Sequence, residues 1–222
     1  MTHDPPMAPL AFQRLPEAEM RERARDHLDE LSRRRSVRHF SPEPVPLDVV
    51  TDCIAAAATA PSGAHKQPWH FVLVTDPVLK TQIRAGAEKE EREFYEHRAS
   101  ERWLQDLRPM GTDANKPMLE DAPALIVVFA QVRGEHEQHY YVQESVGIAV
   151  GFLLAGLHRA GLVTLPHTPS PMGFLREILD RPEWERAYLL IPVGYPIAGC
   201  EVPDLDRKAL DQILTCRPPQ EP

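Results

Sequence analysis

The sequence contains few cysteines and no long apolar run, and each of these features excludes a class of protein. Its three cysteines, Cys53, Cys200 and Cys216, lie far apart and form no CxxC pair, which argues against a zinc cluster and a dithiol redox motif. The longest apolar stretch is only as long as a β-strand, and the N-terminus lacks the charged and then apolar pattern of a signal peptide. We therefore expect a soluble, cytoplasmic protein that does not associate with a membrane.

Several motifs of nucleotide and metal chemistry are also absent. Neither a GxGxxG nor a Walker sequence occurs, so no built-in dinucleotide domain is evident. His136 and His139 are spaced as a ligand pair could be, but no cysteine or third ligand accompanies them, and we predict no metal site. The formal net charge of −8 argues against binding to nucleic acid or to an acidic membrane surface.

Hydrophobic periodicity predicts helices that alternate with a few short, apolar strands. The predicted helices cover residues 16–35, 47–58, 77–107 (interrupted or bent), 140–160 and 173–180, and the strands cover 71–74, 124–130, 162–165 and 189–193. Residues 1–16 are expected to form an N-terminal arm and residues 200–222 a polar extension. This order predicts a single α+β domain over residues 1–222, a three-layer α-β-α sandwich. The strands are few for this length, so we expect a second copy of the chain to complete the core.

The run Arg34-Arg35-Ser36-Val37-Arg38 places three cations and a hydroxyl at the end of a predicted helix. Guanidinium groups match phosphate oxygens in bidentate geometry, and a local basic cluster on an acidic protein favours a discrete anionic ligand. The same residues are also typical of an ordinary basic helix end, and that alternative applies equally to Arg207 and Lys208.

A turn of small residues, Pro61-Ser62-Gly63-Ala64, separates a predicted helix from a predicted strand. Small residues let backbone N–H groups approach the edge of a flat ligand, although a plain turn would use the same residues. Together with the arginine run, the turn favours a ligand that is both planar and phosphorylated, such as a flavin nucleotide.

Glu91 and Tyr95 are four residues apart, so they share one face of a helix, and Lys116 lies in the loop beyond. A carboxylate, a phenol and an ammonium group in one pocket would suit a zwitterionic amino acid; the alternative is a charged surface helix. Thr168 directly follows an apolar strand. It either begins a turn before Pro169 or donates its hydroxyl to a redox-active nitrogen.

The runs RRRSVRHFSPEPVP and APSGAHKQPWHFVLVTDP resemble the FMN-dependent nitroreductase superfamily. Glu91, Tyr95 and Lys116 in register resemble its iodotyrosine deiodinase branch, and the likeness extends in order over residues 30–215. One departure is the pair Pro166-His167, which precedes Thr168 where members of the family often have further threonines.

The resemblance implies a domain-swapped homodimer with FMN at the subunit interface. It implies that Glu91, Tyr95 and Lys116 bind the zwitterion from a lid of about residues 88–117. It further implies that the Ala64 amide bonds the substrate phenolate and that Thr168 donates to flavin N5, both as catalytic groups. The cofactor-binding residues that it implies are Arg34, Arg35, Ser36, Val37, Arg38, Pro61, Ser62, Gly63, Pro166, His167, Thr168 and Arg207.

The activity implied by the resemblance is reductive dehalogenation of mono- or dihalogenated tyrosine. Iodotyrosine would become tyrosine plus iodide by sequential one-electron transfer from reduced FMN, with NAD(P)H or a separate reductase as the electron donor. Two other functions stay open at this point: a broad-specificity FMN nitroreductase or quinone reductase, and a non-catalytic protein that binds flavin or halotyrosine.

Overall fold

The computed structural model describes residues 6–134 and 137–217, which divide into two compact units, one ending at Arg34 and the other beginning at Arg35. The first unit holds helix α1 (Glu17–Ser32), preceded by residues 6–16 without helix or strand. Two exposed ion pairs of i,i+4 spacing, Arg21 with Glu17 and Arg23 with Glu19, support α1. None of its residues is buried. Residues 1–5 of the predicted arm lie outside the described residues.

The second unit contains a four-stranded antiparallel sheet of strand order β1-β2-β4-β3. The strands are β1 (Trp69–Val74), β2 (Ala124–Gln131), β3 (Val163–Thr164) and β4 (Glu185–Gly194). The helices are α2 (Leu47–Ala57), α3 (Pro77–Glu93), α4 (Glu101–Leu107), α5 (Met118–Asp121), α6 (Val142–Arg159) and α7 (Gly173–Ile178). The C-terminal segment is described as far as residue 217 and contains one short turn of 3-10 helix, Leu210–Gln212.

Helices cover both faces of this sheet, which confirms the predicted three-layer α+β architecture. Successive side chains of a strand point to opposite faces. Ile126 and Val128 of β2 pack in the cluster formed with α2 and α6. Leu125 and Val127 pack in the cluster formed with α3, α5 and α7. All of β2 from Ala124 to Ala130 is therefore buried, as its uninterrupted apolar sequence predicts.

The long helix predicted over residues 77–107 is interrupted, as expected. Asp76 caps its first part, α3, by accepting hydrogen bonds from the backbone N–H groups of Val78 and Leu79. A π-helical turn, Phe94–Arg98, follows, and α4 begins after Ser100, whose hydroxyl accepts from the Trp103 N–H. Because α3 packs on the sheet through Ile83 and Ala87, its last turn is held beside the residues that follow β3.

Strand β4 begins earlier than the apolar pattern predicts. Its first residue, Glu185, is almost fully buried and is paired with Arg181 at 2.7 Å, while Gln131 of β2 donates to it at 3.0 Å. These partners compensate the carboxylate and hold its pKa below the usual range, although burial by itself would raise that pKa. A sequence pattern based on apolar residues cannot reveal a strand end of this kind.

Two findings bear on membrane and metal chemistry within residues 6–134 and 137–217. No helix there combines the length and the apolar character needed to cross a bilayer. No group of three histidine, cysteine, aspartate or glutamate side chains there is arranged to hold a metal ion. His136 lies outside the described residues, and the Nδ1 atom of His139 lies 2.8 Å from the carbonyl oxygen of Gln131.

Candidate active site

A cavity of about 340 Å³ lies between the end of α3, the loop that leads to α5, and the segment that follows β3. Seven of the residues predicted from the sequence line it: Arg38, Glu91, Tyr95, Lys116, Pro166, His167 and Thr168. These side chains come from four separate parts of the chain, so the fold brings together most of the predicted substrate site and part of the predicted cofactor site.

Glu91 and Lys116 form an ion pair in the wall of this cavity. The Nζ atom of Lys116 lies 3.2 Å from Oε2 of Glu91, and the two side chains are only 3% and 11% exposed respectively. Lys116 Nζ also donates to Thr112 Oγ1 at 3.2 Å and to the carbonyl oxygen of Asp113. The pair is therefore buried, and the alternative of a solvated charged surface is wrong for these two residues.

Burial and charge oppose each other at Glu91. Burial raises the pKa of the Glu91 carboxyl above its ordinary value, and the positive charge of Lys116 offsets only part of that rise. Tyr95 lies beside the pair, and its ring centroid is 5.8 Å from Lys116 Nζ, within the range of a cation–π contact. Burial likewise raises the pKa of the Tyr95 phenol, so that the phenol is neutral at physiological pH.

A second ion-pair network anchors the backbone of Lys116 to α3. Oε1 of Glu88 accepts the Lys116 N–H at 2.9 Å and also accepts from Arg84 Nε at 2.7 Å. Arg84 then reaches Glu120 at 2.7 Å and the Asn115 side chain at 3.0 Å. Lys116 is thereby tied to α3, which carries Glu91 and continues directly into the π-helical turn that carries Tyr95.

His167 approaches the same carboxylate from the opposite wall. Its backbone is paired with Leu190 of β4 through two hydrogen bonds of 2.9 Å, which connect it directly to the sheet. Its Nε2 atom lies 3.7 Å from Oε1 of Glu91 and is buried without a hydrogen-bond partner among the described residues. Burial, together with the positive charges of Lys116 and Arg38, lowers the pKa of His167 to about 3.

Thr168, the next residue, is exposed at the cavity wall, and its carbonyl oxygen accepts from the Ser170 N–H at 2.8 Å. This backbone hydrogen bond closes a turn at Pro169, as expected if Thr168 begins a turn. The turn leaves the side-chain hydroxyl at a surface that a ligand can reach, so the structural and the functional interpretations of Thr168 are compatible.

Two residues of the arginine run, Ser36 and Arg38, line a second cavity of about 320 Å³ together with Pro203. Val37 is buried, and its N–H donates to the carbonyl oxygen of Thr164 at 3.0 Å, which holds the run beside β3. Arg35 donates to the Pro203 carbonyl oxygen. Arg38 lines both cavities and therefore connects the predicted phosphate site with the Glu91–Lys116 pair.

Two predicted arginines lie elsewhere. Arg34 closes the first compact unit, where its N–H donates to the Leu31 carbonyl oxygen at 3.2 Å. Arg207 lies exposed in the segment before the Leu210–Gln212 turn and is not among the residues that line either cavity. Their roles at a cofactor stay predictions.

The small-residue turn Pro61–Ala64 is not part of either described cavity of this single chain. It packs against the start of α6, where the Gly63 N–H donates to Ser145 Oγ at 3.4 Å. A Cβ at Gly63 would lie 2.7 Å from the Tyr140 carbonyl oxygen, so glycine is required for this close approach. Ala64 is exposed and has a positive φ of 49°, a conformation that alanine seldom adopts.

The cavity also contains residues that sequence reasoning missed. Phe94 makes edge-on ring contacts with both Tyr95 and Trp103, at centroid distances of 5.3 and 4.9 Å. These rings and Leu107 form an aromatic and apolar side of the cavity, and Thr112 supplies the hydroxyl next to Lys116. The adjacent aromatic residues at 94 and 95 could have indicated an aromatic cavity wall from the sequence. The position of Thr112 beside Lys116 could not, because it depends on how the loop folds back onto α3.

Comparisons with known proteins agree with this geometry. Residues 31–195 match the sequence model of the nitroreductase family. The chain is 54% identical over 213 residues to an iodotyrosine deiodinase of Haliscomenobacter hydrossis. This alignment covers 94% of this chain and 96% of that protein. It is 49% identical over 207 residues to iodotyrosine deiodinase 1 of Rattus norvegicus, covering 90% of this chain and 73% of that protein.

Solved structures share the same fold. A crystal structure of oxidized iodotyrosine deiodinase bound to FMN and 3-iodo-L-tyrosine matches with a TM-score of 0.77 at 33% identity, covering 86% of this chain and all of that one. A nitroreductase with bound FMN from Bacteroides fragilis matches with a TM-score of 0.65 at 21% identity, covering 87% of this chain and 99% of that one. The prediction of a nitroreductase-like α+β fold is therefore confirmed.

Proposed function

We propose that this chain, which belongs to the nitroreductase family, is an FMN-dependent oxidoreductase that removes halogen reductively from halotyrosines. With two electrons and one proton, iodotyrosine is converted into tyrosine and iodide. One observation carries the proposal: Glu91 and Lys116 place one charge of each sign in the wall of a cavity, beside the ring of Tyr95. High identity to iodotyrosine deiodinases over nearly the whole chain supports it.

The buried ion pair is suited to a free amino acid. A lone charge is costly to bury, whereas a pair is tolerated, and removing one partner leaves the other uncompensated. An entering zwitterion brings an ammonium group for Glu91 and a carboxylate for Lys116, so each buried charge exchanges one partner for another. A bare nitroarene or quinone carries neither group. The pair therefore favours an amino acid over those substrates.

The residues present fit FMN. Hydroxyl and guanidinium donors from Ser36 and Arg38, which line the second cavity, match a phosphate monoester, and we assign Arg35, Arg207 and the backbone of Val37 to the same end of the cofactor. Pro166, His167 and Thr168, which line the first cavity, would hold the flavin ring. When bound, FMN supplies the electrons for the reaction, one at a time.

A second copy of the chain completes the site. The turn Pro61–Ala64 lines neither described cavity, although its small residues and the exposed Ala64 suit the edge of a flat ring. We assign this turn to the cofactor and substrate of the partner subunit, in a domain-swapped homodimer. Ile148 and Phe152, both exposed on α6, supply apolar surface for that association.

Two groups act on the reacting atoms. The Thr168 hydroxyl holds a proton at flavin N5, which favours transfer of single electrons. The Ala64 N–H donates to the phenolate oxygen and stabilises negative charge there as the carbon–iodine bond breaks. Iodide leaves with its electron pair, and the ring carbon gains the proton. Reducing equivalents come from NAD(P)H or from a separate reductase.

An anaerobic single-turnover experiment tests the proposal. The protein with FMN bound is reduced with dithionite and mixed with 3-iodotyrosine, and tyrosine and iodide are measured. We expect one tyrosine and one iodide for each reduced flavin. Faster turnover of a nitroaromatic compound than of iodotyrosine would identify a general nitroreductase instead. Ligand binding without release of iodide would identify a non-catalytic binding protein.

A further inference from the structure

His167 carries the one buried side-chain nitrogen or oxygen without a hydrogen-bond partner in residues 6–134 and 137–217. Its side chain is 10% exposed, and the Nε2 atom faces Glu91 across the cavity wall. An unpaired buried polar group costs free energy, and such groups in native proteins call for a specific explanation. The position of Nε2 at the cavity points to a ligand as its partner.

The imidazole can act as an acceptor. Lys116 and Arg38 both place positive charge near the ring, and the low pKa of His167, about 3, keeps it neutral at physiological pH. A neutral imidazole has one ring nitrogen with an available lone pair, and Nε2 is that nitrogen in the tautomer that carries its proton on Nδ1, which is the tautomer the inference requires. Two backbone hydrogen bonds to Leu190 fix the residue to the sheet. The backbone of His167 is therefore held by the sheet, and its ring lies in the cavity wall near Glu91 of α3.

We infer that Nε2 of His167 and Oε1 of Glu91 together form a two-acceptor subsite for the α-ammonium group of the substrate. The two atoms are 3.7 Å apart, so one ammonium nitrogen can lie within hydrogen-bond distance of both. An ammonium group has three N–H donors, and a single carboxylate oxygen satisfies only one of them well. Lys116 stays available for the ligand carboxylate. His167 thus adds to the preference for amino acids over acids without an amine that the charge of Glu91 already provides.

This inference rests on the proposed function, because it takes a halotyrosine as the occupant of the cavity. Its test compares two ligands that differ only in the amine: 3-iodo-L-tyrosine and 3-(4-hydroxy-3-iodophenyl)propionic acid. Dissociation constants are measured on the FMN-bound protein by quenching of flavin fluorescence. The measured quantity is the ratio of the two constants, which a general loss of stability or of cofactor would not change selectively.

Three substitutions separate the role of Nε2 from that of ring volume. The amide of His167→Gln reaches the position of Nε2, whereas that of His167→Asn ends near the position of Nδ1, and His167→Leu has no acceptor. We expect the preference for iodotyrosine to be retained in His167→Gln and to fall roughly 10- to 100-fold in both other variants, as for one hydrogen bond to a charged group. If the leucine variant does not fold, the asparagine variant gives the same comparison.

Retention of the wild-type ratio in His167→Asn or His167→Leu would overturn the subsite while leaving the proposed function intact. An equal loss of affinity for both ligands would also overturn it, because the effect would then not depend on the amine. A wild-type protein that binds neither ligand and releases no iodide would instead refute the proposed function, and this inference with it.

Discussion

Glu91 Oε2 and Lys116 Nζ lie 3.2 Å apart in a buried ion pair, although the first residue is in the last turn of α3 and the second is in the loop before α5. The pair satisfies both charges within the chain and places them at the wall of a cavity. Whatever binds there competes with this internal contact.

Replacing Glu91 by glutamine should weaken binding of 3-iodotyrosine by roughly 10- to 100-fold, because the ammonium loses a charged acceptor. Binding of FMN should be unchanged, since Glu91 is assigned to the substrate. Fluorescence quenching of the bound flavin measures the first quantity, and the visible spectrum of the purified protein measures the second. Glu93→Gln, an exposed change on the same helix, is the matched control. Equal affinities of the two variants would remove Glu91 from the site.

The buried pair should also show in the free energy of unfolding. Lys116→Met leaves Glu91 buried without its cation and should destabilise the FMN-bound protein by about 3 kcal/mol. The double variant Glu91→Gln, Lys116→Met removes both charges and should be less destabilised than the sum of the two single variants. Urea denaturation measures each variant. The exposed pair Arg102–Asp106 is the control, and removing Arg102 should have little effect. Strict additivity of the two buried changes would contradict the coupling.

Affinity for iodotyrosine should fall as the solution is acidified. The ammonium binds to ionised Glu91, and burial raises the pKa of that carboxyl, so protonation competes at a higher pH than for an exposed glutamate. Below the raised pKa the affinity should fall by at most about tenfold for each pH unit, as for one linked proton. His167, with a pKa of about 3, should not contribute above that value. Dissociation constants measured over a pH series should show this slope in the wild type and lose it in Glu91→Gln.

The assignment of Pro61–Ala64 to the partner subunit predicts complementation between two impaired variants, assayed at a substrate concentration well below the dissociation constant of either. Glu91→Gln damages the substrate half of the site, and Gly63→Ala damages the turn, because the added Cβ would lie 2.7 Å from Tyr140 O. In a mixed dimer, one of the two sites would combine an intact Glu91 with an intact Gly63. Iodide release should therefore rise above that of either variant after the chains are mixed and refolded together. No rise in a verified heterodimer would place both groups in a site formed by one chain.

Thr168 should matter more for deiodination than for other reductions. Thr168→Ala removes the proposed hydroxyl at flavin N5 and should slow iodide release by about 100-fold, the lower range for a positioned proton donor. Reduction of a nitroaromatic compound by the same variant should change less. Thr168→Ser keeps the hydroxyl and should retain most of the deiodinase activity. Equal slowing of both reactions in the alanine variant would mean that the hydroxyl has no selective role.

The architecture could be predicted from particular segments. Strand β2 is an unbroken apolar run of strand length, and such a run must be covered on both faces, so it was predicted as a fully buried strand. Helix α6 carries an apolar stripe that includes Val146, Ala149 and Leu153, all buried as expected. The early start of β4 could not be predicted, because Glu185 is buried only through its contacts with Arg181 and Gln131.

The site was predicted less completely than the fold. Spacing along a helix indicated that Glu91 and Tyr95 share a face, but an exposed surface helix has the same spacing. Only the folded chain shows that Lys116 returns to Glu91 and that its backbone is held by Glu88. The contact between His167 and Glu91 joins residues from different layers, and no periodic pattern records it.

The sequence by itself determined the helices, the buried strands, the layered fold and the residue types available for binding. These properties follow from local preferences and from the periodicity of apolar side chains, which act over a few residues. The tertiary structure decided which charges are buried together, which nitrogen has no partner, and that the small-residue turn lies away from the cavity. Burial and electrostatic pairing depend on groups that are distant in the chain, so only the packed molecule specifies them.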